Sequence, residues 1–90
     1  MSATLNDFAP ASGTITMFST EWCGYCKRLK KMLDSEGIEY TEIDIENTPG
    51  TEQLVESVNG GNAIVPTVVF PDVTTATNPS LSEVKERLGL

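Results

Sequence analysis

The sequence contains no histidine and only two cysteines, Cys23 and Cys26, among its 90 residues. A closed zinc site takes four ligands, usually from cysteine and histidine. One chain therefore cannot complete such a site, and only a symmetric dimer that contributes both cysteines twice could do so. A structural disulfide gains most of its stability by closing a long loop, whereas these cysteines enclose only two residues. Their spacing therefore does not favour a stabilising cross-link.

Basic residues are also scarce, since six lysines and arginines face thirteen aspartates and glutamates, which leaves a net charge of −7. Phosphates repel such a chain, so we expect no nucleic-acid partner. The few cations are clustered, because Lys27, Arg28, Lys30 and Lys31 directly follow the second cysteine. The potential beside the cysteines is therefore unlike that of the whole protein.

Long apolar runs are absent as well. A membrane span needs roughly 18 apolar residues, and no stretch of the sequence approaches that length. Residues 1–13 carry neither the basic start nor the apolar stretch of a secretory signal. We therefore expect a cytoplasmic protein without a membrane partner. In that reducing compartment, two cysteines two residues apart indicate redox chemistry or metal binding.

The length fits one domain, which we assign to residues 14–90, after a flexible N-terminal arm over residues 1–13. Periodicity and turn residues predict strands at 14–19, 38–45, 67–70 and 73–77, and helices at 23–36, 48–58 and 81–88. The predicted start of the second helix is Thr48 as its cap, with Pro49 in the first turn. Gly37 should end the first helix.

This element order, β-α-β-α-β-β-α, predicts an α/β fold. The first strand, helix and second strand form a parallel pair with a right-handed connection, and the last two strands add an antiparallel hairpin. We expect a mixed four-stranded sheet with helices on both faces.

The chemistry is predicted at the segment Cys23-Gly24-Tyr25-Cys26, which lies between the first strand and the first helix. A thiolate attacks disulfides and a thiol does not, so the nucleophile needs a low pKa. The N-terminus of a helix stabilises an anion, and Lys27 and Arg28 add positive potential nearby. These effects favour Cys23 as the attacking thiolate. Cys26 falls on the apolar stripe of the helix, so we expect it to be buried and protonated.

The spacing also bears on the disulfide. Helical neighbours three residues apart hold their Cβ atoms about 5–6 Å apart, whereas a disulfide needs roughly 3.5–4.5 Å. Closing the bond should distort the first turn, with Gly24 easing the change, and should give a reversible disulfide. Tyr25 is expected on the exposed turn in contact with substrate. For Trp22, substrate contact and simple packing both stay open.

Several segments together resemble the glutaredoxin branch of the thioredoxin fold over about residues 14–88. They are Trp22-Cys23-Gly24-Tyr25-Cys26 with Arg28-Leu29-Lys30, Ser57-Val58-Asn59-Gly60-Gly61-Asn62, Val65-Pro66-Thr67-Val68, and Thr77-Asn78-Pro79-Ser80 with Glu83-Val84. Within this branch the sequence is most similar to the mycoredoxins, which use mycothiol in place of glutathione.

The resemblance implies a function. Cys23 would attack a protein–mycothiol mixed disulfide, and a second mycothiol would regenerate it, with Cys26 a bystander. Pro66 would be cis and would place the Val65 backbone against the substrate, although proline statistics alone predict a trans bond. The implied substrate-binding residues are Trp22, Tyr25, Val65, Pro66, Thr67, Asn78, Pro79 and Ser80.

The implied partners are mycothiol as co-substrate, mycothiolated proteins, and an NADPH-dependent mycothiol disulfide reductase upstream. We expect a monomer with no tightly bound cofactor and no metal.

The sequence departs from the family pattern in two places. Glutaredoxins usually carry Gly-Gly and an acidic residue before the last helix, where the γ-glutamyl group of glutathione docks, and here Thr77-Asn78-Pro79-Ser80 stands instead. Gly24-Tyr25 replaces the Gly-Pro of thioredoxins, while Trp22 is thioredoxin-like. Two alternatives therefore stay open: a thioredoxin-like dithiol reductase fed by a flavoenzyme, and a dimeric carrier of an iron–sulfur cluster.

Overall fold

The strands and helices follow one another in the predicted order in the computed structural model, which describes residues 3–90. The elements are β1 Ile15–Ser19, α1 Gly24–Ser35, β2 Tyr40–Asp44, α2 Thr51–Val58, β3 Thr67–Val69, β4 Thr75–Thr77 and α3 Leu81–Leu88. Within this described part of the chain, no helix is both long and apolar enough to cross a bilayer.

The four strands form one mixed sheet in the order β2-β1-β3-β4. Strand β1 lies in the interior, parallel to β2 and antiparallel to β3, and β3 pairs with β4 as an antiparallel hairpin. Met17 of β1 is opposite Glu42 of β2 and Val68 of β3. The predicted fold class and sheet composition are confirmed.

Alternation along the interior strands divides the apolar side chains between two cores. Ile15, Met17 and Val68 point to one face of the sheet, whereas Phe18 and Val69 point to the other. The first core is completed by Cys23, Cys26, Leu29, Leu33, Ile38, Phe70 and Val84. Since these come largely from α1 and α3, those two helices cover one face. Helix α2 covers the other through Leu54 and Val55.

Helix α1 ends where the sequence predicts. Gly37 has a positive φ of 69°, a conformation that glycine adopts without steric cost. Its N–H donates to the Asp34 carbonyl at 3.2 Å, and the Ile38 N–H donates to the Leu33 carbonyl at 3.0 Å. These bonds satisfy the last carbonyls of the helix.

Three predicted boundaries are wrong. Strand β2 begins at Tyr40 and not at residue 38, because the Ile38 N–H donates to the Leu33 carbonyl at the end of α1. Helix α2 begins at Thr51 with Gly50 as its cap, because Thr51 donates both its N–H and its hydroxyl to the Thr48 carbonyl and so closes a turn ahead of the helix. The fourth strand begins at Thr75. Val73 has a φ of 67° and belongs to the turn, so it cannot extend the strand.

Part of the N-terminal segment, predicted to be a flexible arm over residues 1–13, packs against the second core through Ala3, Leu5 and Phe8. Residues 1 and 2 lie outside the described residues. Residues Leu5–Phe8 form a short 3₁₀ turn, and the Phe8 ring meets the Phe18 ring edge-on at 5.2 Å. The Thr16 hydroxyl donates to the Phe8 carbonyl at 2.7 Å. One aromatic residue, Phe8, creates no periodic pattern in the sequence, so this contact could not be predicted. The domain boundary at residue 14 stays a prediction.

Replacing Phe8 with alanine is expected to lower the free energy of unfolding by about 2 kcal/mol, because the half-buried Phe8 ring loses its contact with the buried Phe18 ring. Urea denaturation measures the change, with Asn6→Ala as an exposed control in the same turn. Equal stability of the Phe8→Ala variant and the wild type would contradict docking of this segment.

Candidate functional site

The cysteine pair lies where β1 passes into α1. Cys23 is the cap residue of α1, with extended backbone at φ −79° and ψ 108°, and the helix begins at Gly24. The Cys23 N–H donates to the Thr20 carbonyl at 3.3 Å, and the Cys23 carbonyl accepts from the Lys27 N–H at 3.2 Å. The turn after the strand thus fixes Cys23 at the end of the helix.

The Cys23 sulfur receives a direct hydrogen bond from the helix. The Cys26 N–H lies 3.0 Å from Cys23 Sγ, and the two cysteines form a disulfide with their Cα atoms 5.2 Å apart. Unpaired N–H groups at a helix N-terminus stabilise a thiolate and lower its pKa. The hydrogen bond from the Cys26 N–H therefore stabilises a thiolate at Cys23. Cys26 lies within the first turn and is 1% exposed, as predicted.

The predicted distortion of the first turn assumed that both cysteines are helical, and it stays a prediction. Cys23 lies outside the helix with extended backbone, so the two cysteines are not a helical pair three residues apart. Gly24 is also not required for internal packing, because a Cβ there would meet no atom within 4 Å. It leaves open space on the surface beside the disulfide.

Two exposed aromatic side chains flank a nearly buried sulfur. Cys23 is only 4% exposed, whereas Trp22 is 70% and Tyr25 is 64% exposed. The exposure of Tyr25 confirms its predicted place on the outer turn. Trp22 does not pack in the core. Its indole Nε1 donates to the Glu46 carboxylate oxygens at 3.2 and 3.3 Å.

The Val65–Pro66 bond is cis, as the family resemblance implies and contrary to proline statistics. General frequencies average over contexts, whereas here Pro66 is buried and its carbonyl accepts from the Asn78 N–H at 2.7 Å. Val65 is half-buried against the core that contains both cysteines. Within residues 3–90, its N–H and carbonyl form no hydrogen bond.

Thr67 is a predicted substrate contact that the structure places differently. Its side chain is fully buried, and its hydroxyl donates to the Ile64 carbonyl at 2.7 Å and accepts from Asn59 Nδ2 at 3.0 Å. Substrate contact through this side chain is therefore not available. The strand pattern of the sequence does not predict this role, because the Thr67 hydroxyl bonds to Ile64 and Asn59, which lie outside the sheet.

A groove of about 290 Å³ joins two sets of predicted residues. Its lining consists of Tyr25, Arg28, Leu29, Met32, Asn78, Pro79, Ser80 and Leu81. The structure thus brings the outer turn of α1 together with the segment that caps α3, where Ser80 Oγ accepts from the Glu83 N–H at 3.1 Å. The apolar wall of Leu29, Met32 and Leu81 was not predicted as part of the site. Its signal is the repeat of Tyr25, Leu29 and Met32 along one face of α1.

The two cations predicted to tune the cysteine are exposed and form no ion pair within residues 3–90. Arg28 lines the groove, whereas Lys27 does not. The neighbouring Lys30 is different, because it pairs with Glu42 at 2.9 Å. Lys27 and Arg28 therefore keep their positive charge available to an anion at the site.

Glu42 connects three elements behind the cysteine turn. Its carboxylate accepts from Ser19 Oγ at 2.7 Å at the end of β1 and from Lys30 of α1. Partial burial would raise the pKa of this carboxyl, but the hydrogen bonds from Ser19 and Lys30 outweigh it and hold the pKa below its ordinary value. The residues are far apart in sequence, so no local pattern predicted this contact.

Known proteins support one assignment. A family model for glutaredoxins matches residues 15–73. The chain belongs to the glutaredoxin family. Mycoredoxin 1 of Corynebacterium glutamicum is 49% identical over 70 residues, which cover 78% of this chain and 86% of that protein. A Mycobacterium tuberculosis protein named as a glutaredoxin is 51% identical over 77 residues, 86% of this chain and 92% of its own length.

A solved structure supports the fold. The glutaredoxin from Methanosarcina mazei superposes with a TM-score of 0.72 at 23% identity, covering 88% of this chain and 81% of that one. This likeness shows a thioredoxin-like fold, and the 49% identity to Mycoredoxin 1 makes the chain a glutaredoxin-like relative of the mycoredoxins. Its family and its adjacent cysteine pair make it a thiol–disulfide oxidoreductase.

Replacing Glu42 with glutamine tests the carboxylate network. A carboxyl with a lowered folded-state pKa contributes stability above its unfolded pKa and loses it as the pH falls through the folded value. The variant should therefore be less stable than wild type near neutral pH, by about 1 kcal/mol or less because the pair is partly exposed, and the difference should shrink in acid.

Urea denaturation at neutral and acidic pH measures the change. Glu39→Gln is the control, because the Glu39 side chain forms no ion pair within residues 3–90. A stability difference that is the same at both pH values would contradict the assignment.

Proposed function

We propose that this glutaredoxin reduces mixed disulfides between proteins and mycothiol, with Cys23 as the nucleophile. The observation that carries the proposal is the groove between α1 and the segment before α3. Its polar lining residues are Tyr25, Asn78 and Ser80, with Arg28 as the charged member. Neutral hydroxyl and amide partners suit a sugar-bearing thiol. The mycoredoxin relative supports the same choice.

The first step is attack by the Cys23 thiolate on the mycothiol sulfur of the mixed disulfide. A bond forms between Cys23 and mycothiol, and the original disulfide bond breaks. Its electron pair leaves on the cysteine of the client protein, which takes a proton from water. The client is thereby reduced, and Cys23 becomes mycothiolated.

Cys23 suits this step better than Cys26 for two reasons. The Cys26 N–H already points at Cys23 Sγ from 3.0 Å, so the hydrogen bond that a thiolate needs is in place. The unpaired charges of Lys27 and Arg28 lie on the following turn and add to it.

The second step regenerates the enzyme. A second mycothiol thiolate attacks the mycothiol sulfur held on Cys23, which forms mycothiol disulfide and returns the electron pair to Cys23. NADPH, through a mycothiol disulfide reductase, then reduces the mycothiol disulfide to two thiols. Cys26 takes no part in this route.

The protein half of the substrate has its own surface. Trp22, Tyr25 and Ile64 are large apolar side chains with 40% or more of their surface exposed around the site. The N–H and carbonyl of Val65, which form no hydrogen bond within residues 3–90, can pair with an extended segment of the client. Side-chain and main-chain contacts would together hold the client sulfur near Cys23.

A dithiol route is the second candidate, and the closed Cys23–Cys26 pair favours it. In that route the Cys26 sulfur attacks Cys23, releases the bound thiol and forms the internal disulfide, which a flavoenzyme then reduces. The dimeric iron–sulfur carrier stays a prediction that no structural observation favours.

The choice of thiol is tested with a mycothiolated peptide as substrate. We expect NADPH-dependent turnover with mycothiol and its disulfide reductase. With glutathione and glutathione reductase the rate should be lower by a factor of about ten or more, because glutathione is not matched to the groove. No turnover with mycothiol, together with efficient reduction by thioredoxin reductase, would overturn the proposal.

The variant Cys26→Ser separates the two routes. It should keep most of the wild-type activity in the mycothiol assay, because the monothiol route uses only Cys23, whereas Cys23→Ser should show no measurable turnover. Loss of nearly all activity in Cys26→Ser, with unchanged stability in urea, would assign the dithiol route instead.

A further inference from the structure

Asn59, the residue that ends α2, uses both ends of its side-chain amide. Its Nδ2 donates to the Val55 carbonyl and to Thr67 Oγ1, each at 3.0 Å. Its Oδ1 accepts from Thr77 Oγ1 at 2.5 Å. One half-buried side chain therefore connects α2 with the start of β3 and the end of β4.

Both strand ends lead directly into loops beside the cysteines. Thr67 follows the Val65–Pro66 loop and holds it by donating to the Ile64 carbonyl at 2.7 Å. Thr77 precedes Asn78, whose N–H donates to the Pro66 carbonyl at 2.7 Å. The two loops are thus bonded to each other, and each is bonded to the asparagine through a neighbouring threonine.

We propose that Asn59 is a positioning residue that sets the relative placement of the Val65–Pro66 loop and the Asn78–Ser80 segment. The Asn78–Ser80 segment lines the groove, and the Val65–Pro66 loop offers its backbone to a client. The distance between them therefore controls how the substrate is recognised. The inference rests on the proposed function insofar as these loops bind substrate. The placement itself does not depend on which thiol is used.

The network is separate from the groups that activate the sulfur. Cys23 receives its hydrogen bond from the Cys26 N–H, and the nearby cations belong to α1. Asn59 should therefore affect substrate recognition without changing the intrinsic reactivity of Cys23. A defect in overall folding would affect both.

The first measurement needs no substrate. Amide hydrogen exchange at Asn78 should become about tenfold faster in Asn59→Ala than in wild type, because the bond that joins the loops loses its support. Ser57→Ala is the matched control. It removes a hydroxyl bond to the Leu54 carbonyl, 2.6 Å long, on the same helix, and should leave Asn78 exchange unchanged.

The second measurement is kinetic. In Asn59→Ala, KM for the mycothiolated peptide should rise about tenfold with a smaller change in kcat. In the reduced protein, the rate at which iodoacetamide alkylates Cys23, and the pH profile of that rate, should match the wild type. Should wild type itself fail to use mycothiol, the proposed function fails, while Asn78 exchange and Cys23 alkylation still decide the role of Asn59.

Thr77→Val serves as a second variant in case Asn59→Ala does not fold, because Thr77 is exposed on an edge strand and loses only its bond to Asn59. It should also accelerate Asn78 exchange, and the double variant should be no faster than Asn59→Ala alone. Unchanged Asn78 exchange in every folded variant would overturn the proposal. So would slower Cys23 alkylation in step with the loss of activity, or an equal defect in Ser57→Ala.

Discussion

The parallel pairing of β1 with β2 determines where the reactive cysteine can lie. Parallel neighbours need a crossover, and helix α1 supplies it, so its N-terminus must start beside the carboxyl end of β1. The turn from Ser19 to Cys23 is short. The Glu42 carboxylate of β2 bonds to Ser19 at the start of this turn and to Lys30 of α1. The sulfur is thereby fixed at a helix end where the next N–H groups have no other acceptor. Thiolate chemistry at this place follows from the topology.

The residues around the reactive sulfur are close together in sequence, whereas the groove combines α1 with a segment much later in the chain. Cys23 caps α1, Cys26 lies in its first turn, and Lys27 and Arg28, which form no ion pair within residues 3–90, follow directly. The groove and the client-facing backbone depend on loops that lie some forty to sixty residues later, joined through hydrogen bonds around Pro66 and Asn59. Substitutions in the later loops can therefore alter the groove while the turn that holds Cys23 stays the same.

The same division explains what could be predicted from the sequence. Strand alternation, the helical stripe of Cys26 and Leu29, and the glycine that ends α1 are local patterns, and the element order follows from them. The start of α2 depends on the turn that Thr51 closes with the Thr48 carbonyl, which competes with Thr48 as the helix cap. The docking of Phe8 and the hydrogen bonds of Glu42 and Asn59 depend on contacts between residues that are distant in sequence. The buried hydroxyl of Thr67 belongs to this group. Periodicity carries no information about such contacts, so only the three-dimensional structure reveals them.

Trp22 is the only tryptophan in the chain, and it directly precedes Cys23 with its ring held by Glu46. Any intrinsic indole fluorescence of this protein therefore originates at the cysteine pair and nowhere else. Disulfides quench a neighbouring indole, so the emission of the unmodified protein can report whether the pair is open or closed. Redox titrations and stopped-flow reactions of this protein can therefore be followed through Trp22 fluorescence, without an added label.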